Sequence, residues 1–95
     1  MLKSIHRESY RLLCTLLVER RKTLGWSQYD LAERLQRPQS FVAKVEVGER
    51  RIDVVEFLDL VHALEADPYE ILRTIEAVYC NTSRDTTADE DAADH

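Results

Sequence analysis

Trp26–Gly48, WSQYDLAERLQRPQSFVAKVEVG, is the stretch that decides how this chain folds. Ser27 has the chemistry of a helix N-cap, with a hydroxyl that accepts from a free backbone N–H, and Asp30 at N3 suits the positive end of the helix dipole. Trp26 before the cap and Leu31 at N4 have the spacing of a hydrophobic staple. Leu31, Ala32 and Leu35 make one apolar face. Arg37-Pro38 interrupts the pattern, because proline pushes the preceding residue out of the α region. A second helix is predicted to begin at Pro38, with Val42 and Val45 facing inward and Gly48 ending it in a left-handed conformation. Two short helices joined by a tight turn form a helix-turn-helix, here over about residues 27–47.

The outward face of the second helix carries Ser40, Ala43, Lys44 and Val47, with Gln39 at its exposed N-terminal end. Such a face is small, amide-bearing or cationic. It suits a surface pressed into a DNA groove, where amides pair with adenine edges, Lys with guanine or phosphate, and Ala with a thymine methyl. An ordinary solvated helix face has a similar composition, so this face alone leaves both readings open.

The chain has 95 residues and a net charge of −5, enough for one small domain with a single modest core. With 2 glycines and 2 prolines, an all-helical chain is expected. The net acidity at first argues against a nucleic-acid partner, but its distribution reverses the impression. Residues 1–19 carry +1, residues 20–51 carry +4 and residues 52–95 carry −10. A basic face followed by an acidic segment produces that asymmetry. No stretch is long enough to span a membrane, and the first residues, MLKSIHRE, lack the apolar region of a signal peptide, so a cytoplasmic location is expected. Cys14 and Cys80 lack the close spacing of a metal site and fit reduced thiols. His6, His62 and His95 show no ligand spacing. Neither a metal nor a cofactor is expected, and no phosphate loop or nucleophile–base pair suggests an enzyme.

In chain order, a first helix runs from about Ser4 or Glu8 to Thr23, with Leu12, Leu13, Leu16 and Leu17 at helical spacing and Tyr10 and Val18 beside them. Arg20, Arg21 and Lys22 fall in its last turn, where they stabilise the helix end, contact phosphate, or both. Gly25 follows as a C-cap. After the central pair of helices, Asp53 and Glu56 have the spacing of a capping box. They open a fourth helix with Val54, Phe57, Leu58, Val61 and Leu64 expected on one face. Asp67-Pro68-Tyr69-Glu70 repeats the start signal for a fifth. Its stripe of Ile71, Leu72, Ile75, Val78 and Tyr79 is wide enough to serve as core or as a two-fold dimer seam. Residues 81–95 hold almost no large apolar side chain and are expected to form a flexible acidic tail beyond a domain over 1–80. Such a tail is simply solvated, binds a partner protein, or competes with DNA for the basic face.

Laid in order, Ser27-Gln28, Leu31-Ala32, Ser40, Val42, Glu46 and Gly48 match a T/S-Q-x-x-L-A … S-x-[IV]-x-x-x-E-x-G pattern. The pattern resembles the Cro/phage-repressor (XRE-like) helix-turn-helix family, over roughly residues 10–80. The resemblance implies an all-α, compact five-helix DNA-binding domain of the phage-repressor type, followed by the acidic C-terminal tail. It places the helix over 38–47 in the major groove. Gln39, Ser40, Ala43 and Lys44 then fall at base- and backbone-reading positions, and Phe41 either packs or touches a thymine methyl. Gln28, Arg37, Arg50 and Arg51 would contact phosphates. Arg21 matches a position that commonly pairs with the glutamate at 46, tying the first helix to the third. Two positions depart from the family pattern: Gln36 stands where glycine is usual, and Pro38 where a Ser or Thr cap is common.

The function implied is a sequence-specific transcriptional regulator of double-stranded DNA. By the same reading it is a repressor, binding a two-fold symmetric operator as a homodimer. A small controller of a neighbouring operon, as in restriction–modification systems, is one form of that reading. The alternative is an antitoxin- or adaptor-type module whose tail or last helix binds a partner protein.

Overall fold

The structure, a computed structural model, describes residues 2–87 along the backbone and side chains over 8–80. Five helices follow one another: α1 (Leu2–Thr23), α2 (Gln28–Leu35), α3 (Gln39–Glu46), α4 (Val54–Ala63) and α5 (Pro68–Thr87). There is no strand among the described residues. The long outer helices α1 and α5 pack on each other, α2 packs on α3 and α4, and α3 also touches α1. Helix α5 runs on through Thr87, covering 81–87 of the stretch expected as tail. The remainder of that expectation, 88–95, lies outside the described residues.

Helix starts follow the local chemistry of the sequence. Ser27 Oγ accepts from the Asp30 N–H at 3.1 Å and Asp30 Oδ2 accepts from the Ser27 N–H at 2.8 Å. Asp53 and Glu56 repeat the reciprocal pair at 2.7 and 3.0 Å. Each box satisfies two backbone donors that the first turn of a helix leaves free. Asp67 accepts from the Tyr69 N–H at 2.9 Å to open α5. Helix α3 begins one residue later than expected. Pro38 is its N-cap rather than its first helical residue, with extended backbone (φ −63°, ψ 151°) and no side-chain cap.

The helix exits share one geometry. After α1, α2, α3 and α4, a residue with positive φ donates to the carbonyl three before it, and the next residue donates five back. This is the Schellman closure, which satisfies carbonyls that the last turn leaves open. Glycine fills the left-handed position after α1 and α3 (Gly25, φ 79°; Gly48, φ 85°), whereas Gln36 (φ 57°) and Glu65 (φ 56°) fill it after α2 and α4. Gln36 therefore takes the left-handed backbone that the family usually gives to glycine.

The core joins Leu17 of α1, Leu31 and Ala32 of α2, Phe41, Val42 and Val45 of α3, Phe57, Leu60, Val61 and Leu64 of α4, and Ile71 of α5. The face of α4 differs from the expected one. Val54 is 73% and Leu58 37% exposed, and Leu60 takes the inward place. The buried set Phe57, Leu60, Val61 and Leu64 follows the i, i+3, i+4, i+7 rule. Leu58 lies about 100° off that stripe, and Val54 sits in the first turn, where α4 has passed the edge of the core.

Left-handed backbone costs a residue with a Cβ about 1–2 kcal/mol, and glycine's greater freedom in the unfolded chain returns about half of that. Gln36→Gly should therefore stabilise the fold by roughly 0.5–1 kcal/mol and raise Tm by several degrees. Thermal unfolding checks this, and an unchanged or lower Tm would contradict it.

Candidate nucleic-acid interface

Helix α3 is held at a fixed attitude by a polar chain that starts on α1. The Arg21 guanidinium grips Glu46 with two bonds, Nε to Oε2 at 2.6 Å and Nη2 to Oε1 at 3.0 Å, and donates a third from Nη1 to the Trp26 carbonyl at 2.8 Å. Both side chains are almost fully covered, at 10% and 7% exposure. The pairing is bidentate and satisfies most of the buried charge, which is the condition under which a buried ion pair is tolerated. The Cys14 thiol adds a weaker link, donating to the Val45 carbonyl at 3.4 Å.

The chain continues to the tip of α3. Gln28 Nε2 donates to Glu46 Oε1 at 2.8 Å, and Gln39 Nε2 donates to Gln28 Oε1 at 2.7 Å. An ionised carboxylate only accepts. Glu46 therefore requires the amide nitrogen of Gln28, which turns the Gln28 oxygen toward Gln39. That oxygen in turn requires the amide nitrogen of Gln39. Each amide has one orientation, dictated by the charge at the root of the chain. Gln39 is left with one N–H and its carbonyl oxygen for an outside partner, a donor and an acceptor side by side. Adenine offers the complementary pair, N7 and N6–H, in the major groove.

Beyond Gln39, Ser40 and Lys44 are exposed and Ala43 is half-buried. Val47 is 70% exposed. Phe41 behaves otherwise. Its ring belongs to the core, at 9% exposure, and two guanidinium groups approach it, Arg37 at 3.8 Å and Arg50 at 5.2 Å from the ring centroid. Packing accounts for its position.

The four residues expected to meet phosphate are placed differently from one another. Gln28 spends an N–H and its oxygen inside the amide chain. Arg50 makes a two-bond pair with Glu56, at 3.1 and 2.7 Å, and also donates to the Arg51 carbonyl. Arg37 approaches the same carboxylate at 3.9 Å. Arg50 donation holds the Glu56 carboxyl below its ordinary value of 4.5, aided by the Asp53 backbone N–H. Arg51 stacks over Tyr10 at 4.3 Å from the ring centroid, and the Tyr10 hydroxyl accepts from the Ile52 N–H at 3.2 Å. Burial pushes the Tyr10 phenol upward.

Sequence reasoning did not foresee Glu56 as the shared partner of two arginines, although its place in the capping box marked it as held close to the backbone. Of the three cations at the end of α1 it assigned a partner only to Arg21, which the structure pairs with Glu46 as expected. Arg20 donates to the Leu64 and Glu65 carbonyls at 2.9 and 2.8 Å, closing the end of α4. Arg21 serves Glu46, and Lys22 is exposed. The expected α5 stripe is split: Ile71 is buried, Ile75 and Val78 are half-buried, and Leu72 and Tyr79 are exposed. A second set of exposed apolar side chains, Val54, Val55 and Leu58, lies on α4. Cys14 and Cys80 are free thiols. No helix among the described residues is long and apolar enough to cross a membrane.

Two outcomes follow from this geometry. Glu46→Ala strands the Arg21 charge and frees both amides, so it should cost about 3–5 kcal/mol; an unchanged Tm would remove the pair from its structural role. Glu56 has a lowered folded-state pKa, so its contribution is present above its unfolded value and lost as pH falls through the folded one. Melting followed from about pH 6 down to pH 3 should fall less steeply for Glu56→Gln than for the natural chain, and parallel curves would contradict this.

The profile of the helix-turn-helix family matches residues 17–71. A solved structure, an XRE-family-like protein from Pseudomonas syringae pv. tomato str. DC3000, is 49% identical, with 80% of this chain and 93% of that one covered and a TM-score of 0.77. The restriction-modification controller protein C.AhdI from Aeromonas hydrophila is 34% identical, covering 65% of this chain and 94% of its own, with a TM-score of 0.61. No match was found among curated proteins. The matched segment runs from the buried Leu17 to Ile71 and contains the whole amide chain and both helices of the motif. The chain belongs to the XRE-like, Cro/phage-repressor type of helix-turn-helix family, and it is a DNA-binding transcription regulator.

Proposed function

We propose that the protein represses transcription from the cytoplasm, as a homodimer on a two-fold symmetric operator, with α3 in the major groove of each half-site. The observation that carries this reading is the charge-set amide chain ending in Gln39. A helix face that was merely solvated would have no need for a glutamine pre-oriented through Glu46 and Gln28. Gln39, Ser40, Ala43 and Lys44 read bases and adjacent backbone, the first by paired hydrogen bonds to an adenine edge and the last at guanine or phosphate. Arg51, exposed and free of any described carboxylate, supplies the strongest phosphate contact. Arg37 and Arg50, half-neutralised by Glu56, add weaker ones, and the remaining N–H of Gln28 adds another. Covering a promoter requires no further surface, which favours repression. Similarity to a restriction-modification controller protein supports the form in which the protein governs a neighbouring operon.

The two-fold partner is a second copy of the chain, meeting the first through α5. Leu72, Ile75, Val78 and Tyr79 form the seam, with Ile71 anchoring it from the core side. Leu72 (49% exposed) and Tyr79 (38%) stand at helical spacing with half-buried Ile75 and Val78, a run of apolar surface of the kind that marks a protein–protein contact.

Selection of sites from random duplex DNA tests the reading, together with the mass of the protein in solution. An inverted repeat with half-sites about one helical turn apart is expected, along with a dimer mass. Gln39→Ala combined with Lys44→Ala should abolish preference for that repeat, by about 1–3 kcal/mol per lost base contact, while the protein stays folded. Leu72→Glu should give a monomer that binds a single half-site weakly. Discrimination that survives the double substitution, or a dimer that survives Leu72→Glu, would overturn the corresponding assignment.

A further inference from the structure

An open groove of about 600 Å³ lies between α1 and the end of α3, and the polar chain from Arg21 to Gln39 leaves it unused. Arg11, Thr15, Val18 and Lys22 line it at i, i+4, i+7 and i+11, the spacing that keeps side chains on one helix face. At 1.5 Å per residue that stripe of α1 is about 16 Å long. Val47, Gly48 and Arg51, at the end of α3 and just beyond it, line the groove as well. The Tyr10 ring of α1 carries the Arg51 guanidinium at 4.3 Å from its centroid, which holds that charge beside the stripe. Arg11, Lys22 and Arg51 are exposed, and among the described residues none of the three is in an ion pair. Two acids share the lining, Glu19 and Glu46. Glu46 is committed to Arg21 and Gln28, so Glu19 is the one uncommitted acid against three cations.

A site for a small molecule buries most of its ligand and is chiefly apolar. This groove is open and its lining is mostly polar or charged, which suits a polyanion lying across it. Continuity with the reading face says which one. Val47 belongs both to the outward face of α3, at 70% exposure, and to the groove. A helix in the major groove, about 12 Å wide, is bordered by the phosphates of both strands. With α3 seated in that way, the strand bordering its C-terminal end passes Val47 and Arg51, and the α1 stripe is the next surface it meets. We propose that the groove extends the DNA interface, with Arg11 and Lys22 of α1 joining Arg51 in holding the sugar–phosphate backbone of that strand. The assignment rests on the DNA reading above and adds to it a helix that touches no base. Its contacts raise affinity and fix the protein's orientation on the duplex without carrying sequence information. Glu19, between Arg11 and Lys22 on the same helix, weakens the attraction.

The test uses the full-length protein and two duplexes, the inverted repeat recovered by site selection and one of random sequence. Kd for each is followed from about 50 to 200 mM salt. Arg11→Gln and Lys22→Gln should each flatten the log–log salt slope by about 0.9, the value of one phosphate contact. Each should weaken both duplexes by the same factor, so that the ratio between them is kept. Glu19→Gln should tighten both. Arg34→Gln removes an equal charge from an exposed position that lines no part of the groove, and its slope should match that of the natural chain. All four side chains are exposed, so the fold tolerates these changes. Groove variants that keep the natural slope, while the natural chain still selects its inverted repeat, would overturn the proposal and leave the operator reading standing. A slope that falls equally in Arg34→Gln would also overturn it, by assigning the effect to net charge rather than to place. A natural chain that selects no duplex sequence would overturn the operator reading, and the groove assignment with it.

Discussion

The two-bond pair between Arg21 and Glu46 is the interaction on which the rest of this structure depends. It joins residues 25 apart, places the end of α1 against the end of α3, and does so with both charges almost fully covered. A covered carboxylate cannot be left partly satisfied, so its remaining lone pairs recruit Gln28, and Gln28 recruits Gln39. One chain of contacts therefore both ties the helices together and orients the amide at the tip of α3. The same charge that fixes the angle of α3 also chooses which way the amide at its tip points.

Cations elsewhere on the motif are divided by a similar logic. The basic segment over 20–51 looks uniform as sequence, yet its members do unlike things. Arg20 closes α4, Arg21 locks α3, and Arg34 lies 4.0 Å above the Trp26 ring. Arg37 and Arg50 approach Phe41 and share Glu56, while Lys22, Lys44 and Arg51 remain exposed. A phosphate backbone would meet the last group at full charge and the middle group at a discount. Glu56 thus lowers the net positive charge beside the turn, while Lys44 on the outward face of α3 stays exposed.

Most of the fold was legible because most of it is local. The caps at Ser27, Asp53 and Asp67, the breaks at Gly25 and Gly48, and the proline before α3 are satisfied within one turn of chain. Two errors show where that reasoning stops. The start of α3 moved by one residue because Pro38 keeps an extended ψ as the N-cap. The face of α4 was misassigned because an apolar residue in a first turn reads the same whether or not a core lies beneath it. Phe57, Leu60, Val61 and Leu64 are chosen by what packs against them, and Val54 and Leu58 are left to solvent.

The candidate site divides along the same line. From the sequence alone came the helix-turn-helix, the side of its second helix that faces outward, and the identity of Gln39, Ser40, Ala43 and Lys44 on it, since each depends on spacing within a few residues. Only the tertiary structure decided which way the Gln39 amide points and which arginines besides Arg21 are already paired. Those properties arise where side chains 11, 18 and 25 positions apart come within hydrogen-bond distance. No local pattern encodes them, because the geometry that brings them together is the packing of α1, α2 and α3 on a shared core.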